Sequence, residues 1–244
     1  MRWIKFIPFL VLLTSVDLHA QKTARSVRID GDSLFAKTVN GTMLEFTVGN
    51  VVFRDKETII YCDSAVRNTT EDVLELFGSI RINDGDSVRI TSNRLIYESL
   101  TRMVRLRGNV VFRRTGQATL YTDFLDYDRM RQEARYYEGG KLVDSTNVLT
   151  SVKGYYLVNT GMASFKTNVV ANSPDYTLES DTLQYNTRTN IIYFRDQTKL
   201  TDKEDGTVAN YDQGEYDANR QKSELNLGQV ETLSYLLSGL YMVT

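Results

Sequence analysis

From Val51 to Phe112 apolar and polar residues alternate with a period of two, as in a β-strand with one buried face. Val51 and Phe53, Ile80 and Ile82, and Val110 and Phe112 point one way, while Val52, Arg81 and Val111 point the other. Turn chemistry follows at the same phase, in Asp55-Lys56-Glu57, Asn83-Asp84-Gly85-Asp86 and Thr115-Gly116. It continues in Asp144-Ser145-Thr146-Asn147, Asn172-Ser173-Pro174-Asp175 and Asp205-Gly206. A second apolar run brings Ile60, Ile90, Leu120, Leu149, Leu178 and Ala209 to one equivalent position. Two residues on stand Cys62, Ser92, Thr122, Ser151 and Ser180, small side chains on the same face. The apolar parity then flips, to Leu95 and Tyr97 or Leu125 and Tyr127, which predicts a bend or bulge at the intervening Asp or Asn. A third run closes the unit, as Leu74-Leu76, Val104-Leu106, Tyr136 or Ile192-Phe194. No stretch has the period of a long amphipathic helix.

The pattern repeats. Gly49-Asn50-Val51-Val52-Phe53 recurs unchanged at Gly108-Asn109-Val110-Val111-Phe112, with Gly78-Ser79-Ile80-Arg81-Ile82 halfway between. A second marker, Asp-x-Leu-x-Tyr followed by Asp or Asn, is complete at Asp123-Leu125-Tyr127-Asp128 and Asp181-Leu183-Tyr185-Asn186. Looser copies lead with Asp63, Asn93, Val152 and Asp212, and a partial one begins at Asp32-Leu34. These leads recur every 29 to 31 residues. About seven units of ~30 residues, each too small to bury its own apolar face, predict an all-β, elongated, folded-over sheet or β-solenoid. About three strands in each unit gives on the order of twenty short strands. The expected inward set is Val51, Phe53, Ile60, Leu74, Leu76, Ile80, Ile82, Ile90, Val104, Leu106, Val110, Phe112, Leu120 and Leu178. An Asp or Asn recurring about every thirty positions is read as structural: Asp63, Asn93, Asp123, Asp181 and Asp212 are expected to bond backbone N–H groups at the bend. Asn83-Asp84-Gly85-Asp86 lacks the further spaced carboxylates of a calcium loop and reads as a hairpin turn.

The two ends differ from the repeat. Residues 1–20 have the form of an export signal: Arg2 and Lys5, an apolar core from Ile7 to Val16, and Leu18-His19-Ala20 as a cleavage site. Residues 21–228 are then one β-repeat domain, and 229–244 an incomplete last repeat or an edge strand.

Composition sharpens this reading by exclusion. Trp3, Pro8 and His19 all fall in the first twenty positions, leaving no Trp, no His, one Pro (Pro174) and one Cys (Cys62) beyond them. Imidazole-based catalysis and Cys/His zinc sites are thereby excluded, as is an intrachain disulfide. Removing Arg2, Lys5 and Asp17 leaves 27 basic and 30 acidic side chains, a balance that disfavours nucleic acid as a partner. No catalytic residue, metal site or cofactor is assigned. The arginines from Arg102 to Arg135 either face lipid phosphates at a groove rim or form a solvated outer face, and their interleaving with strand residues favours the latter.

Units of the form Gly-Asn-Val-x-Phe, a turn, Leu-x-(Ser/Thr/Ala)-Asp-x-Leu-x-Tyr-Asp and a short strand into the next Gly resemble the OstA-like family, over roughly Asp30 to Gly228. The resemblance implies a V-shaped β-jellyroll (a β-taco) whose apolar groove shields the acyl chains of lipopolysaccharide or a related lipid. It also implies a periplasmic place on the route to the outer membrane, and edge-strand stacking with other OstA-like transport components or further copies of the chain. The unit at Val152 lacks the Asp, and the one at Asp63 lacks both Leu and Tyr. The rival reading from the residues is a structural or adhesive β-solenoid with a closed, self-filled core. A carbohydrate-active enzyme would need an unrepeated acidic cluster in one cleft, and the sequence offers none.

Overall fold

The computed structural model describes residues 28–217, apart from Lys56, Gln117, Asn190 and Arg195, together with the backbone of 222–227. The expected export signal at 1–20 and the expected incomplete repeat at 229–244 lie outside the described residues. Among the described residues every element is a β-strand, and all pair antiparallel in a single 18-stranded sheet. The chain opens with β1 (Arg28–Asp30) and β2 (Ser33–Val39), followed by a meander of long strands. These are β3 (Thr42–Asp55), β4 (Thr58–Asn68), β5 (Val73–Asp84), β6 (Val88–Glu98), β7 (Met103–Arg114) and β8 (Thr119–Asp128). Next come four short strands, β9 (Glu133–Tyr136), β10 (Gly140–Val143), β11 (Val148–Ser151) and β12 (Lys153–Leu157). Long strands return with β13 (Met162–Asn172) and β14 (Tyr176–Asn186), then β15 (Ile191–Phe194), β16 (Thr198–Asp202), β17 (Val208–Asp217) and β18 (Lys222–Leu227).

The long strands correct the expected count of three short strands per unit: one unit is a hairpin whose two strands are each bent in the middle. The bend is a two-against-one bulge. Between β5 and β6 the register runs Leu76↔Leu95 and Phe77↔Arg94, then resumes at Ile80↔Ser92. Gly78 and Ser79 therefore oppose the single residue Asn93. The same shift occurs opposite Asp63 and opposite Asp123. The predicted parity flip is this bulge: inner positions are four apart on the glycine strand (Leu76, Ile80) and three apart on the Asp strand (Ser92, Leu95).

Each bulge needs two consecutive residues in the left-handed region. Gly49 and Asn50 have φ of 79° and 47°, Gly78 and Ser79 72° and 33°, Gly108 and Asn109 73° and 49°. Glu138-Gly139 and Thr167-Asn168 take up the same conformation 30 and 29 residues further on, so the repeat is visible in the backbone itself. Glycine is demanded at Gly78 for a second reason: a Cβ there would collide with the carboxylate of Asp63 on the neighbouring strand. At Gly108 a Cβ would lie 2.9 Å from Asn93 Nδ2. The lead Asp or Asn of one unit thus occupies the space that the glycine of the next unit leaves empty.

Two further hydrogen-bond series complete the unit. The small residue before the lead Asp bridges the bend, with Ser92 Oγ donating to Arg94 O (3.3 Å), Ser151 to Lys153 O (3.0 Å) and Ser180 to Thr182 O (3.1 Å), while Thr122 gives its proton to Gly139 O (2.7 Å) and accepts the Phe124 N–H (3.3 Å). The residue that ends the motif caps the next turn. Asn68 Oδ1 accepts from the N–H groups of Thr70 and Glu71, Asp128 from Met130 and Arg131, and Asn186 from Arg188 and Thr189.

The bends divide the sheet into two arms. The first carries the turns near residues 56, 86, 116, 145, 174 and 205; the second carries those near 40, 70, 100, 130, 160 and 188. Gly78→Ala is expected to destabilise the fold by about 1–3 kcal/mol, from its positive φ and the clash with Asp63. Denaturant titration of the double-mutant cycle with Asp63→Ala should show strong non-additivity, the glycine substitution costing less once the carboxylate is gone.

Candidate functional site

The inner faces of the two arms enclose an apolar trough that runs along the sheet. On the first arm one cross-strand ladder passes through Ile29, Phe53, Ile60, Ile82, Ile90, Phe112, Leu120, Leu142, Leu149, Ala171, Leu178, Leu200 and Ala209. Twelve strand-to-strand steps at ~4.8 Å make it about 58 Å long. On the second arm, next to the bends, the ladder is Ala65, Leu76, Leu95, Leu106, Leu125, Tyr136, Gly154, Phe165, Leu183 and Phe194. Beyond it, towards the tips, Leu74, Tyr97, Val104, Tyr127, Ala134, Tyr156, Ala163, Tyr185, Ile192 and Tyr216 follow one another. The Leu and Tyr of the sequence motif are these two inner positions, so every second strand of the outer row presents a phenol.

Burial is deepest beside the bend and uneven towards the lip, where Phe53, Ile82 and Val88 are buried as well. Val51, Ile80 and Val110 are 1% exposed and Leu76 is fully buried. Ile60, Leu74, Ile90, Tyr97, Val104, Phe112 and Leu120 are only partly buried against them. The floor is filled by the protein's own side chains, and the lip is an apolar surface in contact with water. Two surface cavities, of about 480 and 230 Å³, lie on the outer faces, the first around Val111, Tyr121 and Lys141 and the second around Val66, Glu75 and Phe77.

Thirteen of the fourteen residues expected to line the groove, Val51 through Leu120, meet in one cluster. Leu178 sits in a second cluster built around Tyr136, Phe165, Val169, Leu183, Phe194 and Tyr211. Cys62, Ala65, Leu95 and Leu125 also belong to the first cluster and were outside the expected set, although the parity flip marks Leu95 and Leu125 as inward. The residues of the second cluster escape a search for Gly-Asn-Val-x-Phe because Thr167-Asn168-Val169-Val170-Ala171 replaces it there.

All five motif residues sit at the bends. Asp63 and Asn93 press on Gly78 and Gly108, and Asp123 accepts the N–H of Asn109 at 2.9 Å. Asp181 stands opposite Thr167-Asn168, and Asp212 at the register shift between Tyr211 and Gln213. Asp84 of the acidic turn accepts the Thr58 hydroxyl at 2.6 Å. Among the described residues no group of three or more His, Cys, Asp or Glu comes together.

Of the arginines of the middle segment, Arg105, Arg107 and Arg135 stand on the outer face of the second arm, while Arg113 and Arg114 lie on the first-arm half of β7, opposite Arg89 and Val88. Arg105 pairs with Glu98, and Arg107 and Arg135 lie 2.7 and 3.7 Å from the buried Asp126. Arg107 also covers the rings of Phe124 and Tyr137, at 5.5 and 5.8 Å from their centroids. These contacts place the guanidinium groups of Arg105, Arg107 and Arg135 away from the trough.

A model of the family described as OstA-like protein matches residues 31–181. No curated protein matches the chain. Among solved structures, LptH of Pseudomonas aeruginosa, a periplasmic component of its lipopolysaccharide transport device homologous to LptA, aligns at 11% identity. That alignment covers 69% of this chain and 80% of LptH, with a TM-score of 0.24.

Cys62 takes the slot held by Ser or Thr in the other units, and burial, with the charge of Asp63 second, pushes its thiol up to about 11. Because the folded value lies above the unfolded one, this group's contribution to stability is fully present below pH 9.0 and is lost as pH rises towards 11. Cys62→Ser should leave stability at neutral pH little changed and flatten the fall between those values. Chemical denaturation along that pH range checks it.

Proposed function

The chain belongs to the OstA-like protein family, and on that premise we propose that it is a non-enzymatic carrier of lipopolysaccharide or a related lipid in the periplasm. The observation that carries this reading is the pair of continuous apolar ladders facing each other across the trough, half-buried at the lip. An acyl chain laid along them removes apolar surface from water on both sides at once. Each buried methylene contributes about 0.8 kcal/mol, so a chain of about twelve carbons supplies roughly 10 kcal/mol against the work of parting the arms. Sugars and phosphates stay outside, in water, and the phenols of Tyr97, Tyr127, Tyr156, Tyr185 and Tyr216 stand where apolar interior gives way to solvent.

The export signal read in residues 1–20 supports the location. Among the described residues β2 pairs with β3 alone, and this exposed strand, whose seven residues include Leu34 at 76% and Phe35 at 51% exposure, supports handing the lipid on through strand addition to a related unit. A fully buried floor favours a second reading, in which the trough is a closed structural core that never parts. Photo-crosslinking groups introduced at Ile60, Ile90 and Phe112, with outward Arg81 and Arg89 as controls, separate the two. Inner positions should label added lipopolysaccharide several-fold more strongly than the controls. Equal labelling inside and out selects the closed core.

A further inference from the structure

The trough is not uniform along its length. The long strands from β3 to β8 give way to the four short strands β9 to β12, and there the interior passes from its first apolar cluster to its second, with Leu120 packed against both. Tyr136 stands at that point. It leaves β9 on the second arm, and its ring fills the space above two glycines: a Cβ on Gly154, its cross-strand partner, or on Gly140 of the first arm would collide with it. Its hydroxyl lies 2.6 Å from Ser151 Oγ on the first arm. Ser151 already donates its proton to Lys153 O, so the phenol is the donor across the gap. The ring is only 4% exposed.

N-terminal to this point the arms meet through Val51, Ile80 and Val110 on one side and Leu76, Leu95 and Leu106 on the other. Dispersion contacts between such side chains can be exchanged for equivalent contacts with an acyl chain at little net cost. The Tyr136–Ser151 bond cannot. An alkyl chain offers no acceptor, so parting the arms there leaves the phenol of Tyr136 without a partner in an apolar interior. The two glycines show that the backbone of both arms is shaped around the ring.

We propose that Tyr136 is a crossbar that pins the arms at mid-trough and confines acyl chains to the compartment between β3 and β8. This rests on the carrier reading above. Five strand-to-strand steps make that compartment about 24 Å long, room for an extended long-chain acyl group lying along the trough. Tyr136 thereby sets how far a chain reaches and how many chains one molecule holds.

The test uses the mature protein and a long-chain fatty acid carrying a diazirine at its methyl end, with labelled residues mapped by peptide mass spectrometry. In the wild type, Phe53, Ile82 and Ile90 should take up about tenfold more label than Leu178 and Leu200, a preference of about 1.4 kcal/mol. In Tyr136→Ala the two halves should be labelled to within about twofold, roughly 0.4 kcal/mol. Tyr136→Leu, which fills the space but cannot reach Ser151, should also lose the preference and serves if the alanine variant does not fold. Equal labelling of both halves in the wild type, or a preference unchanged in the folded variants, overturns the crossbar. Label in neither half, with the fatty acid shown to bind elsewhere or not at all, overturns the carrier reading itself.

Discussion

The steric fit between one carboxylate or amide side chain and one absent Cβ recurs along the long axis of the molecule. Asp63 against Gly78 and Asn93 against Gly108 show it most plainly. The fit does two things at once. It forces a two-against-one bulge, with a pair of left-handed residues at each step, and it repeats near every thirtieth residue so that the bends of successive hairpins align. Aligned bends turn a flat antiparallel meander into two arms facing each other. A meander without them would expose an apolar face about 58 Å long, which a chain of this size could not keep in water.

From the bend outwards the remaining motif residues fall into place by distance. The hydroxyl of Ser92, Thr122, Ser151 or Ser180 ties the two halves of its own strand together across the bulge. The residue three later, Leu95, Leu125 or Leu183, is the buried floor of the second arm, with Gly154 and the ring of Tyr136 over it taking that place after Ser151. The Tyr after it reaches the half-wet lip, and the final Asp or Asn caps the hairpin at the tip. On the proposed carrier reading, a dry floor holds the arms together and an apolar lip gives a lipid somewhere to begin.

Much of this was legible in the chain because it depends on spacing. The repeat, the strand character and the reversal of inward parity are one-dimensional properties, and Leu95 and Leu125 could be turned inward from parity alone. The length of the strands was not legible, since a bulge inside one strand and a loop between two look alike in sequence. Nor was the pairing of Asp63 with Gly78: the two residues belong to successive units, and only the register between β4 and β5 brings them together. Beyond Tyr136 the repeat marks Leu149, Leu183, Phe194 and Ala209 as strand positions, yet only Leu178 enters the expected groove. Thr167-Asn168 holds the left-handed bend without the glycine that marks it elsewhere, and Ser151 resembles every other small residue in its slot until Tyr136 reaches it from the opposite arm.

On the proposed carrier reading, the two arms, hinged at these bends, open to admit lipid chains. Nitroxide labels at Ser87, in the turn of the first arm, and Thr101, in the turn of the second, report that motion as a distance by pulsed electron spin resonance. Adding lipopolysaccharide should move the distribution to longer distances. A distribution that does not move while lipopolysaccharide is bound would contradict the account.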